Sequence, residues 1–243
     1  MHRIFLPSLK NKKDFIISLS REESHHLVKV LRTKVNEKFE GLNGIGHKYQ
    51  LSLESFHNNT AIVKILEFFE FPRSRRIELA IGIPKTKVMS SLIRRATEMG
   101  ISKIIPLITR FSSYKHRSKK EHGWKIDAME ACKQSGNPWL PEIAPPQNFN
   151  EWINEFFQSN NILIYGSLNS PKKSIFAHLK TIKSANKITW LVGPEGDFSN
   201  SEYQLLKNIE AIPVTLGAHV LRVETATIFG LGQIFACFDK SGQ

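Results

Sequence analysis

Two short apolar runs in the C-terminal third of the chain constrain the fold most, because each is followed by a glycine-containing loop and a helix signal. The first run, 188–192, ends at the segment GPEG (193–196), and the second, 212–216, ends at Gly217. Proline removes a backbone donor, and glycine leaves room for a ligand beside the backbone. Adjacent strands with such loops at their carboxyl ends form ligand sites in open α/β sheets. The pattern predicts a small-molecule site at these two loops.

Charged side chains stand inside these loops, which favours a chemical role over a simple turn. Glu195, Arg222 and Glu224 are each flanked by apolar residues, and charges in such places need a partner or a function. A tight turn at 193–196 and structural ion pairs remain the alternative. The segments contain neither G-x-G-x-x-G nor Gly-Lys-Ser/Thr, so a dinucleotide-dependent oxidoreductase or a P-loop hydrolase is not supported.

The order of the remaining patterns predicts two domains. Short β-type runs fill the first 70 or so residues, interrupted by one helix at 22–31, and this arrangement is typical of a small barrel. From 77 onward β-type and helical patterns alternate, which predicts a mostly parallel sheet with helices on both faces. The segment FPRSRR (71–76) separates them, so the predicted domains are 1–72 and 73–243.

The net charge of +12 is unevenly distributed. Residues 1–76 carry a net +6, residues 77–140 a net +7 and residues 141–243 a net −1. Such a distribution fits a polyanionic partner such as nucleic acid bound by the first 140 residues. On composition alone, a basic surface without a nucleic-acid partner is an equal alternative.

Other features limit the class of protein. There is no apolar run of membrane-spanning length, and the two cysteines, Cys132 and Cys237, are far apart without histidine or cysteine companions. We therefore expect a soluble cytoplasmic protein without a membrane segment, a metal or a disulfide.

The residues of the two loops resemble a known family. LVGPEGDFSNSE (191–202) and LGAHVLRVETA (216–226) are similar to the two signature segments of the 16S rRNA (uracil-N3)-methyltransferases of the SPOUT superfamily, usually GPEGGF-S-E and LG-x-x-ILR-x-ETA. The chain departs at Asp197, where the family more often has glycine, and mildly at Val220 and Val223.

The resemblance implies an activity and an architecture. The activity is S-adenosylmethionine-dependent methylation of N3 of a uridine in 16S rRNA of the small ribosomal subunit. The architecture is an N-terminal PUA-like RNA-binding β-barrel domain, followed by a C-terminal SPOUT α/β domain with a deep trefoil knot, in a homodimer. A non-catalytic RNA-binding or ribosome-assembly protein that retains the fold is the alternative.

The same resemblance assigns the site. Arg222 is the predicted catalytic residue, stabilising negative charge on a uracil carbonyl oxygen, since its guanidinium stays charged. Glu224 either orients Arg222 or accepts the proton, and Glu195 faces the cofactor's sulfonium. The predicted cofactor-binding residues are Tyr165, Gly166, Gly193, Pro194, Glu195, Gly196, Leu216, Gly217, Leu221 and Arg222.

RNA contacts are predicted at two further motifs. HHLVKVLR contains Arg32, and PKTKVMSSLIRRATEMG contains Lys85, Lys87, Arg94 and Arg95. A solvated helix face is the ordinary alternative for such charges. The basic loop RFSSYKHRSKK, with Phe111 and Tyr114 among its cations, is a further candidate because aromatic rings stack on unpaired bases. Asn137 stands where the family commonly has arginine, so no RNA role is assigned to it.

The last predicted helix, 225–238, is apolar on nearly all sides. It is too short to span a bilayer, so it is expected to be buried against protein. A homodimer interface would bury this helix.

Overall fold

The structure is a computed structural model that describes residues 2–7, 9–10, 13–73, 76–112, 118–157, 161–169 and 173–238. The chain divides into two compact units. Unit 1 comprises 1–74 with 129–140, and unit 2 comprises 75–128 with 141–243.

Unit 1 is built on a five-stranded sheet. Its strands are β1 (Arg3–Phe5), β2 (Ile16–Ser18), β3 (Lys38–Leu42), β4 (His47–His57) and β5 (Thr60–Glu70), in the order β1-β3-β4-β5-β2. β1 pairs with β3 in parallel, and the other pairs are antiparallel. Alternate residues of β4 and β5 point into a core that includes Leu51, Leu53, Val63 and Ile65. These strands confirm the short β-type runs predicted for the first 70 or so residues.

The predicted helix of unit 1 is present and changes type midway. It begins as α1 (Arg21–His25) and continues as a π-helical turn at His26–Val30. Ser20 caps it by accepting the Glu23 N–H at 3.2 Å. Burial raises the pKa of the Glu23 carboxyl, which lies 4.0 Å from the Lys133 ammonium, within the same unit.

Unit 2 contains a seven-stranded sheet whose described pairs are all parallel. The order is β12-β10-β11-β6-β7-β8, and β9 also pairs with β7. The strands are β6 (Arg76–Gly82), β7 (Lys103–Ile108), β8 (Glu142–Ile143), β9 (Gln147–Asn148), β10 (Ile162–Gly166), β11 (Lys187–Val192) and β12 (Ile212–Val214). β6 and β11 are buried along most of their length, as expected for central parallel strands.

The helices of the C-terminal region follow these strands. They are α2 (Thr86–Glu98), α3 (Ser118–Ser135), α4 (Phe149–Phe157), a 3-10 turn (Ile175–His178) with α5 (Leu179–Ser184), α6 (Asn200–Asn208) and α7 (Val223–Ala236). Helix α6 begins with a capping box, since Ser199 Oγ accepts the Glu202 N–H and Glu202 Oε2 accepts the Ser199 N–H at 2.8 Å.

The α/β class and the mostly parallel sheet are therefore confirmed. The Pro-rich segment at 141–146 contributes the short strand β8, because its backbone pairs with the edge of β7. Helix α7 leaves Phe229 45% exposed within one chain, so the burial of that side chain against a second copy stays a prediction.

Candidate active site

A cavity of about 680 Å³ lies beside the carboxyl ends of β10, β11 and β12. Loops that follow these three strands form most of its wall, and Lys85 and Val88 of the α2 region complete it. Because all three strands are parallel, their following loops meet at one edge of the sheet. The position is the one that the two glycine-containing loops predict.

The first wall, which we call the GPEG loop (193–198), is held by packing. Gly193 and Pro194 are buried, and the Asp197 N–H donates to the Pro194 carbonyl at 2.9 Å. Gly82, at the end of β6, lies directly behind it, since a Cβ at that position would be 2.5 Å from Pro194 Cδ. The sequence analysis missed Gly82, although a glycine at the end of a buried strand signals close backbone approach.

The exposed end of the GPEG loop is tied to α2. Glu195 Oε1 accepts the Lys85 backbone N–H at 3.3 Å. Lys85 is the N-cap residue of α2, so this carboxylate sits where the helix dipole favours negative charge. Both residues line the cavity, so Lys85, predicted as an RNA contact, also borders the predicted cofactor site.

Asp197 adds a carboxylate to the same wall. Its φ is +59°, in the left-handed region, which explains why glycine suits this position. The Tyr203 hydroxyl donates to Asp197 Oδ2 at 2.7 Å. Burial and this carboxylate raise the pKa of Tyr203, so its hydroxyl is a proton donor at neutral pH.

The opposite wall, which we call the LGAHVLR loop (216–222), is much more open. Residues 217–220 are exposed, and Val220 is 75% exposed. Gly217 has φ +143° with no atom within 4 Å of an added Cβ. At the start of the loop, the Gly217 N–H donates to Thr215 Oγ1 at 3.3 Å.

Arg222 and Glu224 both line the cavity. Arg222 is exposed and is the N-cap residue of α7, without a side-chain capping bond. Glu224 lies in the first turn of α7. Among the described residues no salt bridge joins the two, so the structure gives no support to Glu224 as the group that orients Arg222.

Most predicted cofactor residues meet in this cavity, and two do not. The residues that line it are Gly166, Gly193, Pro194, Glu195, Leu216, Gly217, Leu221 and Arg222. Tyr165 is 4% exposed and packs in the core against Tyr203, because its side chain points to the other face of β10. Gly196 lies against Phe111, since an added Cβ there would be 2.8 Å from Phe111 Cβ. Neither residue belongs to the cavity wall.

Several lining residues were not singled out in the sequence. Ser167, Thr215 and His219 belong to the same loops. Ser167 and Thr215 directly follow the ends of β10 and β12, which is the signal that could have marked them, whereas His219 lies further along its loop.

The predicted RNA contacts have different environments. Arg32 is exposed with φ +57°, and Lys87 and Arg95 are exposed on α2. Arg94 instead forms a salt bridge with Asp127, Nη2 to Oδ1 at 2.6 Å, which competes with a role in RNA contact. Phe111 is 49% exposed, and Tyr114 lies outside the described residues.

Two negative findings apply to the part of the chain that the structure describes. No group of three or more His, Cys, Asp and Glu side chains is arranged to hold a metal ion. No helix there combines the length and the apolar character needed to cross a membrane.

Comparisons with known proteins agree with this geometry. A family model described as an RNA methyltransferase domain matches residues 71–234, and one described as an RNA methyltransferase PUA domain matches residues 19–66. The fold and the cavity are thus those of a two-domain RNA methyltransferase.

Relatives of known name narrow the class. The chain is 30% identical to ribosomal RNA small subunit methyltransferase E of Rickettsia conorii, over 96% of this chain and 94% of that protein. A solved structure of a methyltransferase E from Neisseria gonorrhoeae bound to S-adenosyl methionine is 25% identical, covers 97% of both chains and has a TM-score of 0.87. A methyltransferase structure from Legionella pneumophila, with bound S-adenosyl methionine, is 28% identical over 96% of both chains with a TM-score of 0.86.

The chain belongs to the ribosomal RNA small subunit methyltransferase E family. Its N-terminal unit is accordingly PUA-like. The roles predicted for individual site residues, and the domain limits 1–72 and 73–243, stay predictions.

Proposed function

We infer that this protein transfers a methyl group from S-adenosylmethionine to 16S rRNA of the small ribosomal subunit. The observation that carries the inference is the single cavity in which the GPEG loop, the LGAHVLR loop, Arg222 and Glu224 meet. The relatives that share this fold over nearly the whole chain include two with the cofactor bound.

The cavity fits this cofactor in size and in chemistry. A volume of about 680 Å³ lies within the range of pockets for molecules of this size, roughly 300–1,000 Å³. Val192, Leu216 and Leu221 supply apolar wall, and glycines at 166, 193 and 217 expose backbone groups for hydrogen bonds. When bound, the cofactor supplies an electrophilic methyl group.

The acceptor atom we propose is N3 of a uridine. The N3–H proton must leave as the N3–C bond forms, so negative charge develops on the uracil carbonyl oxygens. Arg222 borders the cavity with a permanently charged guanidinium and lies outside every salt bridge of the described chain. It is therefore available to stabilise that charge. Glu224, on the same wall, is the candidate acceptor of the proton.

The RNA surface is proposed for the basic N-terminal part of the chain. Residues 1–140 carry all of the net positive charge, and Arg32, Lys87 and Arg95 are exposed there. In unit 1, Lys48 lies 5.0 Å from the ring centre of Phe71, and Arg73 lies 4.5 Å from that of Trp139. Cations next to aromatic rings suit both phosphates and unpaired bases.

We further propose a homodimer, a closed β-barrel in unit 1, a trefoil knot in unit 2 and a cytoplasmic location, as the resemblance implies. An exposed apolar patch supports the dimer. Phe229 of α7 is 45% exposed and Phe176 of the neighbouring 3-10 turn is 51% exposed. Val220 of the LGAHVLR loop is 75% exposed and offers a second copy further apolar surface.

Mass-spectrometric mapping of methylated uridines tests the activity and the position together. Ribosomal RNA from cells with and without the protein should differ by one N3-methyluridine in 16S rRNA. Return of the methyl group with the parent chain, but not with an Arg222→Ala chain, would tie the activity to this cavity. Identical methylation maps with and without the protein would favour a non-catalytic RNA-binding protein instead.

RNA affinity provides a separate test. Binding of a 16S rRNA fragment should weaken steeply with salt, with a logarithmic slope of about −0.7 to −0.9 per neutralised phosphate. Lys87→Ala and Arg95→Ala should each reduce the slope, whereas Lys207→Ala, an exposed cation of α6, serves as the control. An affinity that is independent of salt would contradict the electrostatic surface.

A further inference from the structure

Asp197 is held in a conformation that disfavours it. Its φ of +59° lies in the left-handed region, where glycine has no steric penalty and other residues are uncommon. Despite this strain the position carries a charged side chain that lines the cavity. Asp197 Oδ1 lies beside Gly193 of the same loop, since a Cβ added to Gly193 would be 3.1 Å from it.

Among the described residues, one oxygen of this carboxylate accepts a hydrogen bond. Oδ2 accepts the Tyr203 hydroxyl at 2.7 Å. Within the described part of the chain, Oδ1 accepts no hydrogen bond, and it is not among the buried unpartnered atoms. One oxygen is therefore fixed, and the other remains accessible from the cavity.

Tyr203 holds the carboxylate from outside the cavity wall. It lies on α6, whose N-terminus is fixed by the Ser199 and Glu202 capping box. Ser167 and the Leu168 backbone interact with the same hydroxyl. The tyrosine thus connects the GPEG loop to the loop after β10, and both loops line the cavity.

The cavity distinguishes its carboxylates by environment. Glu195 is exposed and accepts the Lys85 N–H, and Glu224 is half-buried in the first turn of α7, two residues after the cation Arg222. Asp197 is half-buried with a free oxygen. A charge is screened less by solvent when it is partly buried, so Asp197 acts on the charge of a bound molecule more strongly than the exposed Glu195 does.

We propose that Asp197, positioned by Tyr203, makes the cavity select the positively charged methyl donor over its demethylated product. This inference rests on the proposed function. S-adenosylmethionine carries a sulfonium, an ammonium and a carboxylate, hence a net charge of about +1, whereas S-adenosylhomocysteine has lost the sulfonium charge and is neutral overall. A fixed carboxylate favours the first ligand and is nearly indifferent to the second. Release of the product after methyl transfer would be favoured in the same way.

Calorimetric titration of the full chain with each ligand tests this directly, without RNA and without turnover. Asp197→Asn keeps the side-chain size and removes the charge. We expect the dissociation constant for S-adenosylmethionine to rise about threefold to tenfold while that for S-adenosylhomocysteine changes less than about twofold. Asp197→Gly should give the same loss of selectivity in a chain that is at least as stable, because glycine removes the left-handed strain.

Two further variants separate the effect of the position of the Asp197 carboxylate from the effect of negative charge alone. Tyr203→Phe retains the carboxylate but releases it, so selectivity should fall by a smaller factor than with Asp197→Asn. Glu155→Gln is the matched control, because it neutralises an exposed carboxylate of α4 that does not line the cavity, and it should leave selectivity within about twofold. Thermal unfolding of each variant checks that the fold is intact.

The outcomes are distinguishable. Equal weakening of both ligands by Asp197→Asn would overturn the inference, since it would assign Asp197 to a part that the two ligands share. An equal loss of selectivity in Glu155→Gln would also overturn it, because the net charge of the whole chain would then be responsible. If the parent chain binds neither ligand, the proposed function itself fails, and this inference fails with it.

Discussion

The two loops that face each other across the cavity are built in different ways. The GPEG loop is fixed within the chain by buried Gly193 and Pro194, with Gly82 packed behind. The LGAHVLR loop is exposed over 217–220 and has open space around Gly217. One wall is therefore preformed by packing, and the other has few contacts within a single chain.

This difference indicates a division of roles. A preformed backbone wall binds a ligand without ordering cost, which suits the part that holds a cofactor. An exposed wall that carries Arg222 and the exposed apolar residue Val220 suits the part that meets RNA or a second copy. Changes in the first wall should therefore act on stability and cofactor affinity, and changes in the second on catalysis and assembly.

Substitution of Arg222 should produce the largest effect. Arg222→Ala is expected to lower the single-turnover methylation rate by roughly a hundredfold or more, the scale lost with one preorganised charge-stabilising donor. Because Arg222 makes no side-chain capping bond to α7, folding should be unaffected. Rates measured at saturating RNA and cofactor, with calorimetric affinity for the cofactor, check both points.

Arg222→Lys is the matched control, and it should recover little activity, because an ammonium does not reproduce the planar guanidinium. A rate for the alanine variant within a few fold of the parent would show that Arg222 is not catalytic. The proposed role of the open loop in catalysis would then be wrong.

Gly82→Ala should damage the packed wall. Its Cβ would lie 2.5 Å from Pro194 Cδ and 2.8 Å from Pro194 N, so backbone must move. We expect the free energy of unfolding to fall by about 1–3 kcal/mol, as for other overpacked sites, and cofactor binding to weaken. Gly232→Ala is the control, because the nearest atom to its Cβ is Met99 Cε at 4.0 Å. Denaturant titration that shows no difference between the two variants would contradict a packing-fixed wall.

The parallel sheet, several helix ends and the position of the cavity could be predicted from the sequence. The alternation of patterns was sufficient for the parallel sheet, since buried strands such as β11 read as continuous apolar runs. The capping box of α6 and the helix of unit 1 were also predictable from residues close in the chain. Both the cavity and its two loops follow from the rule that such loops meet at one edge of the sheet.

Contacts between residues distant in the chain were not predictable. The approach of Gly82 to Pro194 and the pairing of Arg94 with Asp127 both join segments separated in sequence. The side of β10 on which Tyr165 points depends on register, because a shift of one residue exchanges the two faces. The short strand β8 pairs for two residues only, which is too few for a pattern to show.

Phe229→Asp tests whether a second copy covers the open side. An aspartate there would place a charge in the proposed interface, and the dimer dissociation constant should rise at least about tenfold. Phe157→Asp is the control, since Phe157 of α4 is 66% exposed and lies outside the patch. Sedimentation velocity over a concentration series measures both. A parent chain that is a fully active monomer would contradict the dimer.

Gly217→Ala should have the smallest effect. Set beside Gly82→Ala, it compares the same substitution in the open wall and in the packed wall. No atom lies within 4 Å of the added Cβ, so the only cost is conformational, from a φ of +143°. Because residues 217–220 are exposed, the loop can relax, and we expect the free energy of unfolding to fall by at most about 1 kcal/mol. The methylation rate should change more than the stability does, since relaxation moves the segment that leads to Arg222. A loss of stability as large as that of Gly82→Ala would show that both walls are equally fixed within one chain, and the division of roles between them would have to be abandoned.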